Sequence, residues 1–202
     1  IGRRQRQMCI RDSFYRLLDK KSHPDGKQFN YVSPNSDLLG WIIERSTGER
    51  FSDLLSDLFW KPLGATMPSY ITVDRLGAPR VAGGLCTTAI DLALVGQLFL
   101  DYGFTNGQQI LPKNWLQDIQ ENGSRDAWLE GNFAEYFPNR DMHYRSKWYV
   151  DHGANDSKAE LVFGLGVHGQ NLFINSKNRI VIAKFSSQAA PLDPHLIPMT
   201  CK

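Results

Sequence analysis

Tyr31 is the residue whose type and setting most invite chemistry. A free phenol has a pKa of ~10 and is a poor base at neutral pH, but a neighbouring ammonium favours the phenolate and brings proton exchange into range. The residues after Tyr31 make it a candidate. Ser33 reads as an N-cap whose oxygen accepts an orphan backbone N–H, and Pro34 as the first helical residue, where its missing N–H costs nothing. Leu38, Leu39, Ile42 and Ile43 then recur on one face at helical spacing, and Gly48 stops the run. A tyrosine at the tip of a buried, rigid helix is set to point into a cleft rather than into a core.

The elements that must position it read as helices first and strands last. Residues 13–19 form a short helix capped by Ser13, and His23-Pro24-Asp25-Gly26 marks a turn within 20–28. A second helix spans 51–59, with Ser52 as cap and Phe51, Leu54, Leu55 and Leu58 as its stripe, and Pro62 and Gly64 end it. Residues 69–74 alternate as a short strand. Ala89, Leu92, Ala93, Gly96 and Leu100 give the apolar face of a helix over roughly 88–102, and Trp115, Leu116 and Ile119 that of one over about 112–121. Residues 122–160 read as irregular, polar and rich in aromatics (Trp128, Phe133, Tyr136, Phe137, Tyr144, Trp148, Tyr149), a loop long enough to be functional or mobile. The β signal lies in 161–187, where Leu161–Phe163, Asn171–Ile174 and Ile180–Phe185 surround the turn 175–178 as consecutive antiparallel strands. Helices followed by a terminal antiparallel sheet make the fold class α+β.

Composition excludes several partner classes. The chain of 202 residues is 42% hydrophobic and 22% charged, an ordinary globular make-up with enough length for a sizeable core. Its net charge of +2 rests on Arg3, Arg4, Arg6 and Arg11; setting these four aside leaves 19 basic against 21 acidic residues, a net of −2. No charge stripe for nucleic acid remains. Residues 1–12 have no period and few apolar side chains, and are expected to be a disordered or non-native basic tail similar to translated adaptor sequence in metagenomic reads. Residues 13–202 are expected to be the C-terminal part of a single domain. Cys9, Cys86 and Cys201 are odd in number and widely spaced, so free thiols are expected. His23, His143, His152 and His195 lie in loops without ligand spacing, and neither metal nor cofactor is expected. No apolar run approaches the ~18–20 residues of a membrane span. Oligomeric state is left open, as is compartment, cytoplasm or periplasm.

Taken in order, Tyr31-x-Ser33, Asp37-Leu-Leu-Gly-Trp-Ile-Ile-Glu-Arg-Ser-Thr-Gly48, Trp60-Lys-Pro-Leu-Gly-Ala65, Gly83-Gly-Leu-Cys-Thr-Thr-Ala-Ile-Asp-Leu92, Gly166-Val-His-Gly-Gln170 and the hairpin 171–187 resemble the serine β-lactamase and penicillin-binding-protein superfamily. Within it the likeness is to class C-like serine hydrolases that include the 6-aminohexanoate-dimer hydrolases and related esterases, and it covers roughly residues 14–200. The resemblance implies a β-lactamase/transpeptidase-like fold and attack on an amide or ester carbonyl of a small molecule through an acyl-enzyme. It also implies three motifs: Ser-x-x-Lys, Tyr-x-Asn and a Lys-Thr-Gly-type strand.

Tyr31 matches the second motif, with an implied role as proton shuttle. Ser33 stands where Asn is usual, a departure that weakens any inference of β-lactam recognition. Gly164-Leu165-Gly166 falls at the third motif without its lysine or threonine, followed by His168-Gly169-Gln170. Glycines there let a substrate lie along the strand edge, and backbone N–H groups of such a strand can complete an oxyanion hole. His168 either replaces the missing cation or packs at the strand end. Trp148 and Tyr149 are candidates for the lining of an apolar pocket. The first motif is absent: no serine is followed three positions later by lysine, and no Gly-x-Ser-x-Gly elbow replaces it. The expectation is a C-terminal fragment of a serine hydrolase, inactive by itself. The alternatives are a non-catalytic, penicillin-recognising-like binding or regulatory module and a purely structural domain.

Overall fold

The computed structural model describes residues 26–153 and 160–187. The basic tail 1–12, the expected helix 13–19, His23, His195, Cys9 and Cys201 lie outside them. Helix α1 spans Ser33–Thr47. It begins one residue earlier than its Ser33-Pro34 signature suggests: extended Val32 occupies the cap place, its carbonyl accepts the Asn35 N–H at 3.2 Å, and no side chain caps the end. The Ser33 cap is thus corrected, and Ser33 is the first helical residue. Gly48 ends the helix as expected, in the left-handed conformation (φ +76) with its N–H on the Glu44 carbonyl at 3.0 Å.

The apolar face of α1 is not buried. Leu39, Ile42 and Ile43 are 48%, 49% and 37% exposed, and the helix is held instead through Gly40, which lies so close to Val81 that a Cβ would sit 2.4 Å from a methyl. Periodicity marks a helix; it does not say what covers its stripe.

Helix α2 (Phe51–Leu55) continues through a π-helical turn (Ser56–Trp60) into α3 (Lys61–Leu63), and Gly64 terminates it. Ser52 makes no cap here either; extended Arg50 holds that place. Strands β1 (Tyr70–Ile71) and β2 (Leu85–Cys86) pair with each other. The Cys86 thiol is free and exposed. Helix α4 (Ala89–Leu100) is capped by Thr88, whose Oγ1 accepts the Asp91 N–H at 3.1 Å. The buried Asp91 carboxylate in turn accepts from Thr66 N (2.6 Å), Thr66 Oγ1 (2.9 Å), Met67 N (3.2 Å) and Thr88 Oγ1 (2.8 Å). These bonds, the Thr66 N–H foremost, hold its pKa below the usual carboxylate value.

After the hairpin of β3 (Phe104–Thr105) and β4 (Gln108–Gln109) come α5 (Lys113–Glu121) and α6 (Arg125–Leu129). The sheet comes next in simple meander order: β5 (Met142–Arg145), β6 (Trp148–Asp151), β7 (Leu161–Gly166), β8 (Gln170–Asn175) and β9 (Ile180–Lys184), every neighbour antiparallel. The strand expectations over 161–187 are met. The reading of 122–160 as irregular is corrected, since it contains α6, β5 and β6. Alternation sorts the side chains. Val150, Val162, Leu172 and Ile174 meet Phe99, Leu100, Leu116 and Ile119 on one face. On the other, Tyr149, Leu161, Phe163 and Phe173 meet Trp128, Phe137 and Met142.

Two of the histidines expected in solvated loops are buried. His143 and His152 are 1% and 3% exposed, with His143 Nε2 placed 2.8 Å from the Ile119 carbonyl and His143 Nδ1 placed 2.9 Å from His152 Nε2. The carbonyl requires a proton on His143 Nε2, so Nδ1 accepts from His152. A second proton on His143, at Nδ1, would require His152 Nε2 to give up its own and accept instead. Burial, above all, lowers the His143 pKa, with the charges of His152 and Arg125 acting the same way against the Ile119 bond and Asp141. A histidine depressed in the fold contributes stability that is complete above the unfolded pKa of ~6.5 and is lost as pH falls through the folded value. Thermal melts are therefore expected to fall between pH 7.5 and 5, and His143→Gln, which keeps a donor for Ile119, should flatten that slope; an unchanged slope counts against this cause.

Candidate active site

Tyr31 is fixed by the segment that delivers it. The Phe29 N–H bonds to the Ala127 carbonyl at 2.7 Å and Gln28 Nε2 to that of Glu130 at 2.7 Å, which ties the approach to α1 onto α6. Tyr31 is 39% exposed, its ring 5.3 Å from Phe133 and 6.3 Å, edge-on, from Tyr144. It lies on an aromatic floor. Phe133 and Tyr144 both meet Tyr149, at 6.2 and 4.8 Å, and Tyr149 stacks on Phe163 of β7 at 5.3 Å with planes 15° apart. One run of rings therefore links Tyr31 to Phe163 of β7.

Burial pushes the pKa of both floor tyrosines, Tyr144 and Tyr149, far above that of a free phenol, and the charges of neighbouring tyrosines add to it. Both keep their protons across the working range of an enzyme. Tyr149, at 3% exposed, lies in the core. Trp148 is half-buried against Phe99 at 4.5 Å, and its ring edge lies 3.9 Å from where a Cβ of Gly164 would be.

Gly164 and Gly166 pair with Leu172 and Gln170 across the β7–β8 ladder. A Cβ on Gly166 would come 2.8 Å from that of Gln170, so the strand can turn this tightly only with glycine. The turn itself, Val167–Gly169, carries His168 at φ +60 and Gly169 at φ +82. His168 is exposed at its tip, while Gly169 is buried. Gln170 works as a structural clamp. Its Nε2 donates to the Ser186 carbonyl and its Oε1 accepts the Ser186 N–H at 3.2 Å, which ties the turn to the segment after β9. Ser33 is half-buried at the start of α1.

Two floor contacts, Phe133 and Tyr144, are visible in the sequence only as members of an aromatic-rich loop. The alternation of Tyr144 with Tyr149 about the Ser146-Lys147 turn is the signal that could have found the hairpin. Among the described residues no helix is long and apolar enough to cross a membrane, and no group of three or more metal-ligating side chains assembles.

Comparison with known proteins gives this geometry its setting. The Beta-lactamase family matches residues 17–197. The chain belongs to the Beta-lactamase family. It is 36% identical over 168 residues to the 6-aminohexanoate-dimer hydrolase of Paenarthrobacter ureafaciens, a match covering 83% of this chain and 41% of that protein. A solved Bacillus anthracis protein assigned as a 6-aminohexanoate-dimer hydrolase superposes with a TM-score of 0.75 at 29% identity, over 90% of this chain and 44% of that one. A penicillin-binding protein from Bacillus halodurans shares the fold at 14% identity and a TM-score of 0.62, over 95% of this chain and 61% of that one. The β-lactamase/transpeptidase-like α+β expectation is borne out. This Beta-lactamase family chain spans less than half the length of either hydrolase relative.

Gln170→Ala should release the 167–169 turn, at a stability loss of about 1 kcal/mol for bonds that solvent partly replaces. Faster amide exchange at Ser186, with little change at Phe163, is the expected signature; uniform change across the sheet would contradict a local clamp.

Proposed function

We propose that these residues form the tyrosine-bearing part of a serine hydrolase that cleaves amide or ester bonds through an acyl-enzyme. Tyr31 serves as general base and acid, and the Gly164–Gly166 edge of β7 receives the acyl group. The observation that carries the reading is the single aromatic floor connecting Tyr31, through Phe133 and Tyr149, to β7, in a chain of the Beta-lactamase family. The name of the Paenarthrobacter relative supports a linear amide of an amino acid as the substrate class.

In the first step a serine hydroxyl attacks the carbonyl carbon while the Tyr31 phenolate takes its proton. The tetrahedral oxyanion is held by backbone N–H donors, for which the exposed Val167 just after β7 is a candidate. Tyr31 then protonates the leaving amine or alcohol as the tetrahedral intermediate collapses to the acyl-enzyme. Water, deprotonated by the same phenolate, releases the acid and restores the serine. The floor's part is orientation: Tyr144 and Tyr149 stay protonated beneath Tyr31.

No Ser-x-x-Lys stands in the 202 residues, so on this reading the nucleophile and its lysine come from outside them, and the chain alone has no turnover. That same absence favours a second reading, a non-catalytic binding or regulatory module. Hydrolysis of p-nitrophenyl butyrate, a cephalosporin and the linear 6-aminohexanoate dimer by the full-length protein separates the two. Tyr31→Phe is expected to lower kcat on the accepted substrate by roughly 10²–10⁴-fold, the usual contribution of a general base. Full activity in that variant would remove Tyr31 from the mechanism.

A further inference from the structure

The β5–β6 turn is Ser146-Lys147, and both residues have left-handed backbone, at φ +50 and +75. A two-residue hairpin demands that conformation, which asparagine and glycine adopt far more readily than serine and lysine. From this turn the Lys147 side chain crosses to α1, where its ammonium donates to Ser36 Oγ at 2.8 Å.

The surroundings of the ammonium give the bond its interest. Ser36 lies on the first turns of α1, just after Tyr31, whose ring meets Tyr144 on the strand leading into the Ser146-Lys147 turn. On the other side, Tyr149 of β6 is opposite Phe163 of β7. The β6–β7 ladder ends at that pair, which leaves the β6-facing edge of Gly164–Gly166 without ladder partners, with the Trp148 ring at the Gly164 position and the Ser146-Lys147 turn at the same end of β6. Among the described residues no carboxylate pairs with Lys147. Lys147 is an exposed residue, and partial desolvation displaces its pKa downward. Ser36 occupies one of the three ammonium donors. The remaining two are directed by a brace rather than by a counter-ion.

We propose that Lys147, braced by Ser36, is a carboxylate-binding residue at the Tyr31 end of β7, recognising an acidic group on a substrate whose scissile carbonyl lies along Gly164–Gly166. The proposal rests on Tyr31 and β7 bordering one acyl site. It narrows the substrate class to amides or esters that carry a carboxylate away from the bond cleaved. The guanidinium of arginine could replace the ammonium, whereas a neutral side chain of similar length could not.

Binding tests this without any need for turnover. The ¹⁵N-labelled chain is titrated with 6-acetamidohexanoate and with its neutral counterpart 6-acetamidohexanamide, following the amides of residues 31–37 and 145–149. The acid is expected to bind about tenfold more tightly than the amide, the effect of one charge-assisted hydrogen bond. Lys147→Met should erase that preference and Lys147→Arg should keep it. Ser36→Ala, which leaves the hairpin untouched, should reduce it by about threefold, the scale of one solvent-exposed hydrogen bond. Equal affinity for acid and amide, a preference that survives Lys147→Met, or one that Ser36→Ala leaves undiminished overturns the proposal. Tyr31→Phe should retain the acid preference, so a failure of the proton-shuttle role and a failure of the Lys147 site are separately visible.

Discussion

The stack of Tyr149 on Phe163 is the contact on which this architecture turns. Phe163 sits in the middle strand of five, fully buried, and Tyr149 lies one strand over on the same face. Each side chain alone would be an ordinary core aromatic. Together they begin a run of rings that passes through Phe133 and Tyr144 and reaches the surface at Tyr31. Aromatic pairs of this kind add ~0.5–1.5 kcal/mol beyond the area they bury and favour particular tilts and offsets. Positional information therefore travels from the rigid centre of the sheet to a phenol otherwise held by a few backbone bonds at one end of a helix.

How legible this is in the sequence depends on whether the signal is local. The strands Leu161–Gly166, Gln170–Asn175 and Ile180–Lys184 can be read because each is an apolar run bounded by glycine, asparagine or serine. The Met142–Arg145 and Trp148–Asp151 strands escape the same reading. Their inward positions include His143 and Asp151, which look like loop residues in a list of letters. Inside the fold the imidazole of His143 is bonded to Ile119 and His152, and Asp151 is paired with Arg140 at 2.6 Å. A buried polar residue is intelligible only with its partner, and the partners here come from other elements. The helix caps fail for a related reason: Ser33 and Ser52 stand at the right places, but adjacent backbone satisfies the geometry first.

The candidate site divides along the same line. Tyr31, Gly164 and Gly166 can be named because the ordered motifs resemble a family whose tyrosine and strand motifs fall at those positions. Gln170 stands out for its place beside the glycines, yet its amide finds the backbone of Ser186, a partner set by the path of the chain after the last strand. Nothing local singles out Lys147. Its relevance comes from crossing to Ser36, a pairing that spans 111 positions and leaves no periodic trace.

The uncovered side of the first helix has a mechanical consequence. The helix is gripped from one flank, through Gly40 against Val81 and through the Ser36 and Glu44 side chains, while Leu39, Ile42 and Ile43 look outward. It is a cantilever with Tyr31 at its root. Tyr31 stands apart from that freedom, because Phe29 and Gln28 fasten its approach to α6 before the helix begins.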